Sequence, residues 1–390
     1  HIHEEMTEAA APAFRRRYEL KKVVASGAFG SVWTGVDRQK VERKDQAVKV
    51  AIKVVEHGGK DVDLVKNEVE MHKKLFAGGG GSPLLVRMTD LLCEDTQTTL
   101  VLELCEFREQ LYEHIDTAPQ GRLTEVAATP IARECAAALS FMHAKQVAHL
   151  DVKPENILVA SRQSCSSTPR LKLVDYGSAC AMDLPDAPEG SAGLVLERGG
   201  TDRCMAPERR ALLTPRGWFC GAAADVYSFG SVVLHMLLGE AAADALATKA
   251  AAMAKAAEAA AVARARASKA AALAKSPHRT ARAQAGAATA WRLSRTMATS
   301  ADSAASAAGS AAVQAELARA EDGGRPSAPA IDLLVSATRV EPNERPAAAE
   351  LLTHAWLLER GHQGQQTPHK ARSALSSLTQ LQAALPTDVS

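Results

Sequence analysis

The stretch His149-Leu150-Asp151-Val152-Lys153-Pro154-Glu155-Asn156-Ile157-Leu158 constrains this chain more than any other. It reads as a loop opening a short strand, Ile157–Val159. An Asp, a Lys two residues on and an Asn five residues on bring three functions together. The Asp151 carboxylate can accept a hydroxyl proton and the Lys153 ammonium can neutralise a transferring phosphoryl group. The Asn156 amide oxygen can ligate Mg²⁺. Asp175 ends a second short strand, Leu171–Val174, and supplies another oxygen ligand for the same ion.

Upstream, Ala25-Ser26-Gly27-Ala28-Phe29-Gly30-Ser31-Val32 lies between two expected strands. A glycine-rich hairpin lets backbone amides approach phosphate oxygens closely, although taken alone it equally describes a plain β-hairpin. Strand periodicity over Gln46–Val55 puts Ala47, Lys49, Ala51, Lys53 and Val55 on one face. A lysine there can reach phosphates if an acid holds it, and Glu68 on the expected helix Leu64–Phe76 is the candidate. Lys53, in Val50-Ala51-Ile52-Lys53, is favoured; Lys49 repeats the same Ala-x-Lys register and stays open as the alternative.

Composition divides the chain. Residues 1–17 are alanine-rich and polar, ending in three arginines, and read as a disordered tail. Residues 18–103 are β-patterned around one helix, and 104–240 are mostly helical. Residues 241–328 are alanine with scattered Lys, Arg and Ser, and no Asp or Glu occurs over 259–301. Patterning resumes at Ile331 and runs to about Arg360, leaving 361–390 as a polar tail. Between Tyr18 and Arg360, about 255 residues remain once 241–328 is set aside, the size of one medium-large domain carrying an insertion. Net charge is +1, which excludes a uniformly basic nucleic-acid coat. The seven cysteines are scattered, without a C-x-x-C pair, so neither a disulfide framework nor a zinc site is expected. No membrane span is expected, and Val232–Leu238 reads as a buried helix. The location expected from these traits is cytoplasmic or nuclear. The chain starts at His1 rather than Met, which leaves open that it is a fragment.

Taken in order, these segments resemble the eukaryotic protein kinase family over roughly Tyr18 to Arg360, the alanine-rich insertion apart. The resemblance implies an α+β, bilobal fold: a small β-rich N-lobe, 18–103, and a larger helical C-lobe, 104–360. It also implies ATP and Mg²⁺ in the cleft between them. Residues 25–32 resemble the phosphate-covering loop, so Ala25, Ser26, Gly27, Gly30 and Val32 join the nucleotide-binding set, as does Ala51. Lys53 and Glu68 resemble the strand-lysine and helix-glutamate pair. Leu102-Glu103-Leu104-Cys105 resembles the hinge, with Leu102 as gatekeeper and Glu103 and Cys105 beside the adenine. Asp151 and Lys153 fall on the catalytic positions, and Asn156 and Asp175 on the metal ligands. Met205-Ala206-Pro207-Glu208 resembles the end of the activation segment, Asp225 opens the large buried helix, and Arg345 matches the arginine that pairs with Glu208.

The implied activity is transfer of the ATP γ-phosphate to Ser/Thr hydroxyls of a protein substrate. Lys153 and Thr201 resemble the Ser/Thr branch. A nucleotide-binding scaffold without phosphotransfer is the alternative, kept open by Ala25 where the family has glycine and by Leu150 where it has arginine. Leu150 further implies an activity independent of activation-loop phosphorylation. His72 is expected as a tolerated, partly buried histidine. Residues 241–328 are expected to be a mobile low-complexity insert, with contact to an acidic partner through the basic residues of 259–301 as the other reading.

Overall fold

The computed structural model describes residues 11–27, 30–42, 46–57, 61–105, 108–160, 171–183, 194–196, 202–211, 218–252, 255 and 325–358. Five antiparallel strands form the N-lobe sheet: β1 (Tyr18–Gly27), β2 (Gly30–Glu42), β3 (Gln46–Glu56), β4 (Met88–Cys93) and β5 (Gln97–Glu103), in the order β1-β2-β3-β5-β4. Helix α2 (Asp61–Leu75) crosses one face. Val65 and Val69 on α2 pack there with Val55, Leu91 and Leu100. The alternation on β3 sends Val50 and Ile52 to the opposite face, where they join Leu92 and Val101.

That second face corrects the expectation of a disordered tail over 1–17, because Ala11–Arg17 is a helix, α1, docked on the sheet. Phe14 is 4% exposed and packs on Tyr18, with ring centroids 4.7 Å apart. Burying such a ring is worth about 2 kcal/mol, enough to help order a short helix. The arginine run ends in a clamp rather than a solvated tail. Arg17 donates to both Asp37 oxygens at 2.9 and 2.7 Å and to Asp90 at 2.9 Å, and the Tyr18 hydroxyl donates to Asp90 at 2.7 Å. Burial is the largest influence on the Asp37 carboxyl and raises its pKa, but the bond and charge of Arg17 together with the Gln39 N–H outweigh it and the net shift is downward. Residues 1–10 lie outside the described residues.

The C-lobe is built around α4 (Glu125–Ala144) and α6 (Gly221–Leu238). Thr124 caps α4, its side chain accepting from the Ala127 N–H. Helix α6 is long and apolar enough to cross a membrane, but 83% of that window is buried inside the protein. Short strands β6 (Arg108–Gln110), β8 (Ile157–Ala160) and β9 (Leu171–Leu173) form a separate sheet against α4.

The expected insertion boundary after Glu240 also needs correction. Residues 240–252 are helical, and Ala242, Leu246 and Ala250 are buried in the C-lobe core at i, i+4 spacing. Alanine carries too little hydrophobic contrast for this stripe to stand out in an alanine-rich sequence. The chain returns at Arg325, and Ser327 caps the helix Ala328–Ala337. Glu125 holds this return, accepting from the Ser327 N–H and hydroxyl at 2.6 and 2.7 Å and from Trp356 Nε1 at 2.8 Å. The readings made for 259–301, for Thr201 and for residues beyond Leu358 fall outside the described residues.

Candidate active site

Strand register assembles one wall of the cleft. Directly opposed residues share a face, and β1–β2–β3–β5 opposes Ala25 to Val32, Val32 to Lys53, Lys53 to Leu100 and Ala51 to Leu102. Ala25, Val32, Ala51, Lys53 and Leu102 therefore line the same side. Ser26 and Gly27 pair with Ser31 and Gly30 at the hairpin end. Gly30 has φ +103°, and a Cβ there would meet the Val54 carbonyl oxygen at 2.2 Å, so only glycine lets the hairpin lie this close to β3.

Lys49 and Lys53 share this face, and tertiary position separates them. Lys49 is exposed near the far end of the strand, opposite Val36. Lys53 is buried and donates to both Glu68 oxygens at 3.0 and 2.8 Å and to Asp175 Oδ1 at 3.2 Å. Burial alone would lower the Lys53 pKa, but the two carboxylates outweigh it and raise it, so the ammonium stays charged. Burial, acting against the Lys53 charge, moves the Glu68 carboxyl up. For Asp175 burial is again the largest influence, yet Lys53 overcomes it and the carboxyl moves down.

At the hinge, the Glu103 N–H donates to the Arg87 carbonyl at 2.9 Å. The Glu103 carboxylate pairs with Lys172 on β9 and accepts from the Arg87 N–H at 3.1 Å. The hinge is thereby tied to the strand that leads to Asp175. Cys105 follows, partly buried against the C-lobe core and outside any disulfide.

The catalytic-loop residues come together as one bonded group. Lys153 Nζ lies 2.8 Å from Asp151 Oδ2. Asn156 Nδ2 donates to both the backbone oxygen and Oδ2 of Asp151, each at 2.9 Å. Leu150 is buried with φ +63° and Asp175 has φ +65°, a conformation that costs a bulky residue about 1–2 kcal/mol. Both peptide groups of Leu150 are pinned: its N–H donates to Asp225 Oδ1 at 2.7 Å and its carbonyl accepts from Arg209 Nη1 at 2.5 Å. Asp225 Oδ2 also accepts from the His149 N–H at 2.8 Å and pairs with His143 Nε2 at 2.9 Å. His149 Nδ1 accepts from the Asp151 N–H at 3.2 Å, which leaves Nε2–H to donate to the Val174 carbonyl at 3.2 Å.

Asp225 and His149 position the loop, and the sequence reading gave them no such role. The available signal was a lone carboxylate one turn into an apolar, buried helix. Asn67 was also passed over; it donates to the Gly177 and Ala179 carbonyls at 3.3 and 2.6 Å, fastening α2 to the segment after Asp175. His72 is more deeply buried than expected, at 2% exposure, with both ring nitrogens unpartnered among the described residues. Its ring packs on Tyr176, centroids 4.6 Å apart, and Tyr176 meets His149 edge-on at 5.9 Å. Arg345 binds Glu208 through two bonds of 2.7 and 2.8 Å, closing the segment end onto the C-lobe.

Two hard oxygen donors remain unspent. Asp175 Oδ2 and Asn156 Oδ1 make no hydrogen bond among the described residues, and oxygen ligands of this kind suit Mg²⁺. Among the described residues no group of three His, Cys, Asp or Glu side chains could hold a softer metal.

Comparison with known proteins agrees with this geometry. Residues 18–357 match the protein kinase domain. Serine/threonine-protein kinase SRK2E of Arabidopsis thaliana is 33% identical over 223 residues, 57% of this chain and 54% of the relative. Serine/threonine-protein kinase PKZ1 of Phytophthora infestans is 31% identical over 237 residues, 58% and 55% of the two chains. CBL-interacting protein kinase 24 of Oryza sativa subsp. japonica is 32% identical over 229 residues, 57% and 43%. The chain spans about half the length of the curated relatives it matches. Proteins of this family generally use ATP with Mg²⁺. A domain match running from Tyr18 to Leu357, over a fold that gathers Lys53, Glu68, Asp151, Asn156 and Asp175 at one cleft, makes this chain a member of the protein kinase family.

Proposed function

We propose that this chain transfers the γ-phosphoryl group of ATP to serine or threonine hydroxyls of protein substrates. The observation that carries the reading is the bonded group Asp151–Lys153–Asn156 beside the Lys53–Glu68–Asp175 ion cluster. Asp151 orients the substrate hydroxyl and accepts its proton. Lys153, already within ion-pair distance of Asp151, offsets charge on the transferring group. Lys53, fixed by Glu68, positions the α- and β-phosphates. The hairpin of Ala25, Ser26, Gly27, Gly30 and Val32 covers the nucleotide, and Ala51, Leu102, Glu103 and Cys105 border its adenine. Asn156 and Asp175 would hold Mg²⁺, which when bound neutralises phosphate charge. Serine/threonine preference is supported by the names of the relatives. The scaffold alternative rests on Ala25 and Leu150, and the contacts that join Lys53 to Glu68 and Asp175, and Asp151 to Lys153 and Asn156, weigh against it.

The test is transfer of label from γ-labelled Mg·ATP to histone, with a folded Asp151→Asn protein alongside. Transfer should fall about 10²–10⁴-fold in the variant while nucleotide affinity is retained. Phospho-amino-acid analysis should return phosphoserine or phosphothreonine. Transfer that survives Asp151→Asn, or a folded, nucleotide-binding wild type that never transfers, would overturn the reading.

A further inference from the structure

Arg203 sits in the turn Asp202–Cys204, just ahead of Ala206-Pro207-Glu208. Its Nη1 lies 2.8 Å from Glu240 Oε1 and its Nε 2.9 Å from Asp244 Oδ1. Glu240 and Asp244 are one helical turn apart, so a single guanidinium spans the start of the helix over 240–252. Arg203 and Glu240 line a cavity of about 310 Å³ together with Tyr112, Lys153, Glu155 and Cys204. Because Lys153 is paired with Asp151, this cavity opens directly beside the catalytic-loop group.

Each side of the clamp has other anchors. The turn is anchored from below, where the Ser228 hydroxyl donates to the Cys204 carbonyl at 2.8 Å and Cys204 is buried. The helix is anchored by buried Ala242, Ala243, Leu246 and Ala250. The clamp itself is open to solvent, with side-chain exposures of 29%, 45% and 53% for Arg203, Glu240 and Asp244. Ion pairs this exposed contribute little to stability. What the clamp does fix is the direction in which Arg203 points at the cavity mouth.

Resting on the kinase reading, we propose that Glu240 and Asp244 are positioning residues for the protein substrate. Acting through Arg203, they set the cavity wall on which the substrate polypeptide lies, so the first turns of the alanine-rich insertion belong to the substrate site.

The experiment uses the full chain, with histone as the cationic probe substrate and two charge-opposed variants, Arg203→Gln and the pair Glu240→Gln/Asp244→Asn. Positioning predicts that both raise the KM for histone, by about fivefold, because each breaks the same clamp. Combining all three substitutions should add little further, and the KM for ATP should stay within about twofold of wild type. Simple charge attraction predicts opposite directions: removing the cation would tighten histone binding and removing the carboxylates would weaken it. Opposite directions, an unchanged histone KM, or an equal rise in the KM for ATP would each overturn the proposal. If wild type shows no Asp151-dependent transfer, the kinase reading fails by itself. The clamp is then judged on histone Kd by fluorescence anisotropy in the presence of a non-hydrolysable ATP analogue, with the same two-direction criterion.

Discussion

Arg345 and Lys53 are both buried cations facing carboxylates, but they spend their donors differently. All five guanidinium N–H groups of Arg345 are used: two bind Glu208, and the others reach the carbonyls of Arg339, Ala223 and Val340. Nothing is left for a ligand, and the Arg345 side chain is fully enclosed. Lys53 is shared between Glu68 and Asp175, and Asp175 remains 37% exposed with one oxygen unspent. A saturated pair holds architecture together, whereas a shared, half-open one keeps acceptor capacity for something that arrives later.

The sharpest way to break the comparison is Arg345→Ala. It strips Glu208 of its partner and leaves three carbonyls without their donor, so unfolding free energy should fall by about 3–5 kcal/mol. Urea denaturation reads this directly. Lys53→Met should act on the other side of the comparison, lowering phosphotransfer about 10²–10³-fold. Its cost in stability should be the smaller of the two, because Glu68 is already displaced toward protonation by burial and can shed its charge by taking up a proton. If Lys53→Met destabilised the fold as much as Arg345→Ala, the distinction between the two pairs would collapse.

How much of this was legible in the sequence depended on how far apart the partners lie along the chain. Asp151, Lys153 and Asn156 act within six residues, so their spacing alone announced the chemistry. Lys49 and Lys53 could not be separated by periodicity, because both obey the same two-residue repeat; the position of Glu68 on α2 separates them. Asp225 reaches back across the chain to the amides of His149 and Leu150, a link no local pattern encodes. The two boundary errors share another cause. Arg17 looks like a tail residue until Asp37 and Asp90 face it, and a stripe of Ala242, Leu246 and Ala250 differs too little from its alanine-rich surroundings to read as a buried face.

His72 adds a third case, a buried group that could be cationic but forms no ion pair or hydrogen bond with a carboxylate among the described residues. Burial, with the Lys53 charge adding to it, pushes its pKa from 6.5 down to about 3. The sign follows from linkage. Above about pH 6.5 the imidazole is neutral in both states and adds no pH dependence; as pH falls from there toward 3, the unfolded chain takes up a proton that the folded chain refuses, and stability is lost. His72→Leu removes that loss, so between pH 7 and pH 5 it should gain about 2 kcal/mol on wild type. Paired urea titrations at the two pH values measure the gap, and parallel curves would mean that His72 finds a partner on protonation.

The smallest effect is expected where no charge is involved. The Tyr176 hydroxyl, fully buried, donates to the Val86 carbonyl at 3.0 Å, with the Leu173 carbonyl 3.3 Å away. Leu173 keeps a second donor, the Val86 N–H at 3.0 Å, so Tyr176→Phe leaves only the Val86 carbonyl short of a bond. The aromatic packing on His72 and His149 is retained, and the substitution should cost about 1 kcal/mol, read as a shift in urea midpoint at constant slope. Phosphotransfer should be unchanged, because Asp175 keeps its contacts with Lys53 and Gly177. A larger loss of activity than of stability would place the hydroxyl among the groups that aim Asp175, on the open side of the comparison with Lys53 rather than the closed side with Arg345.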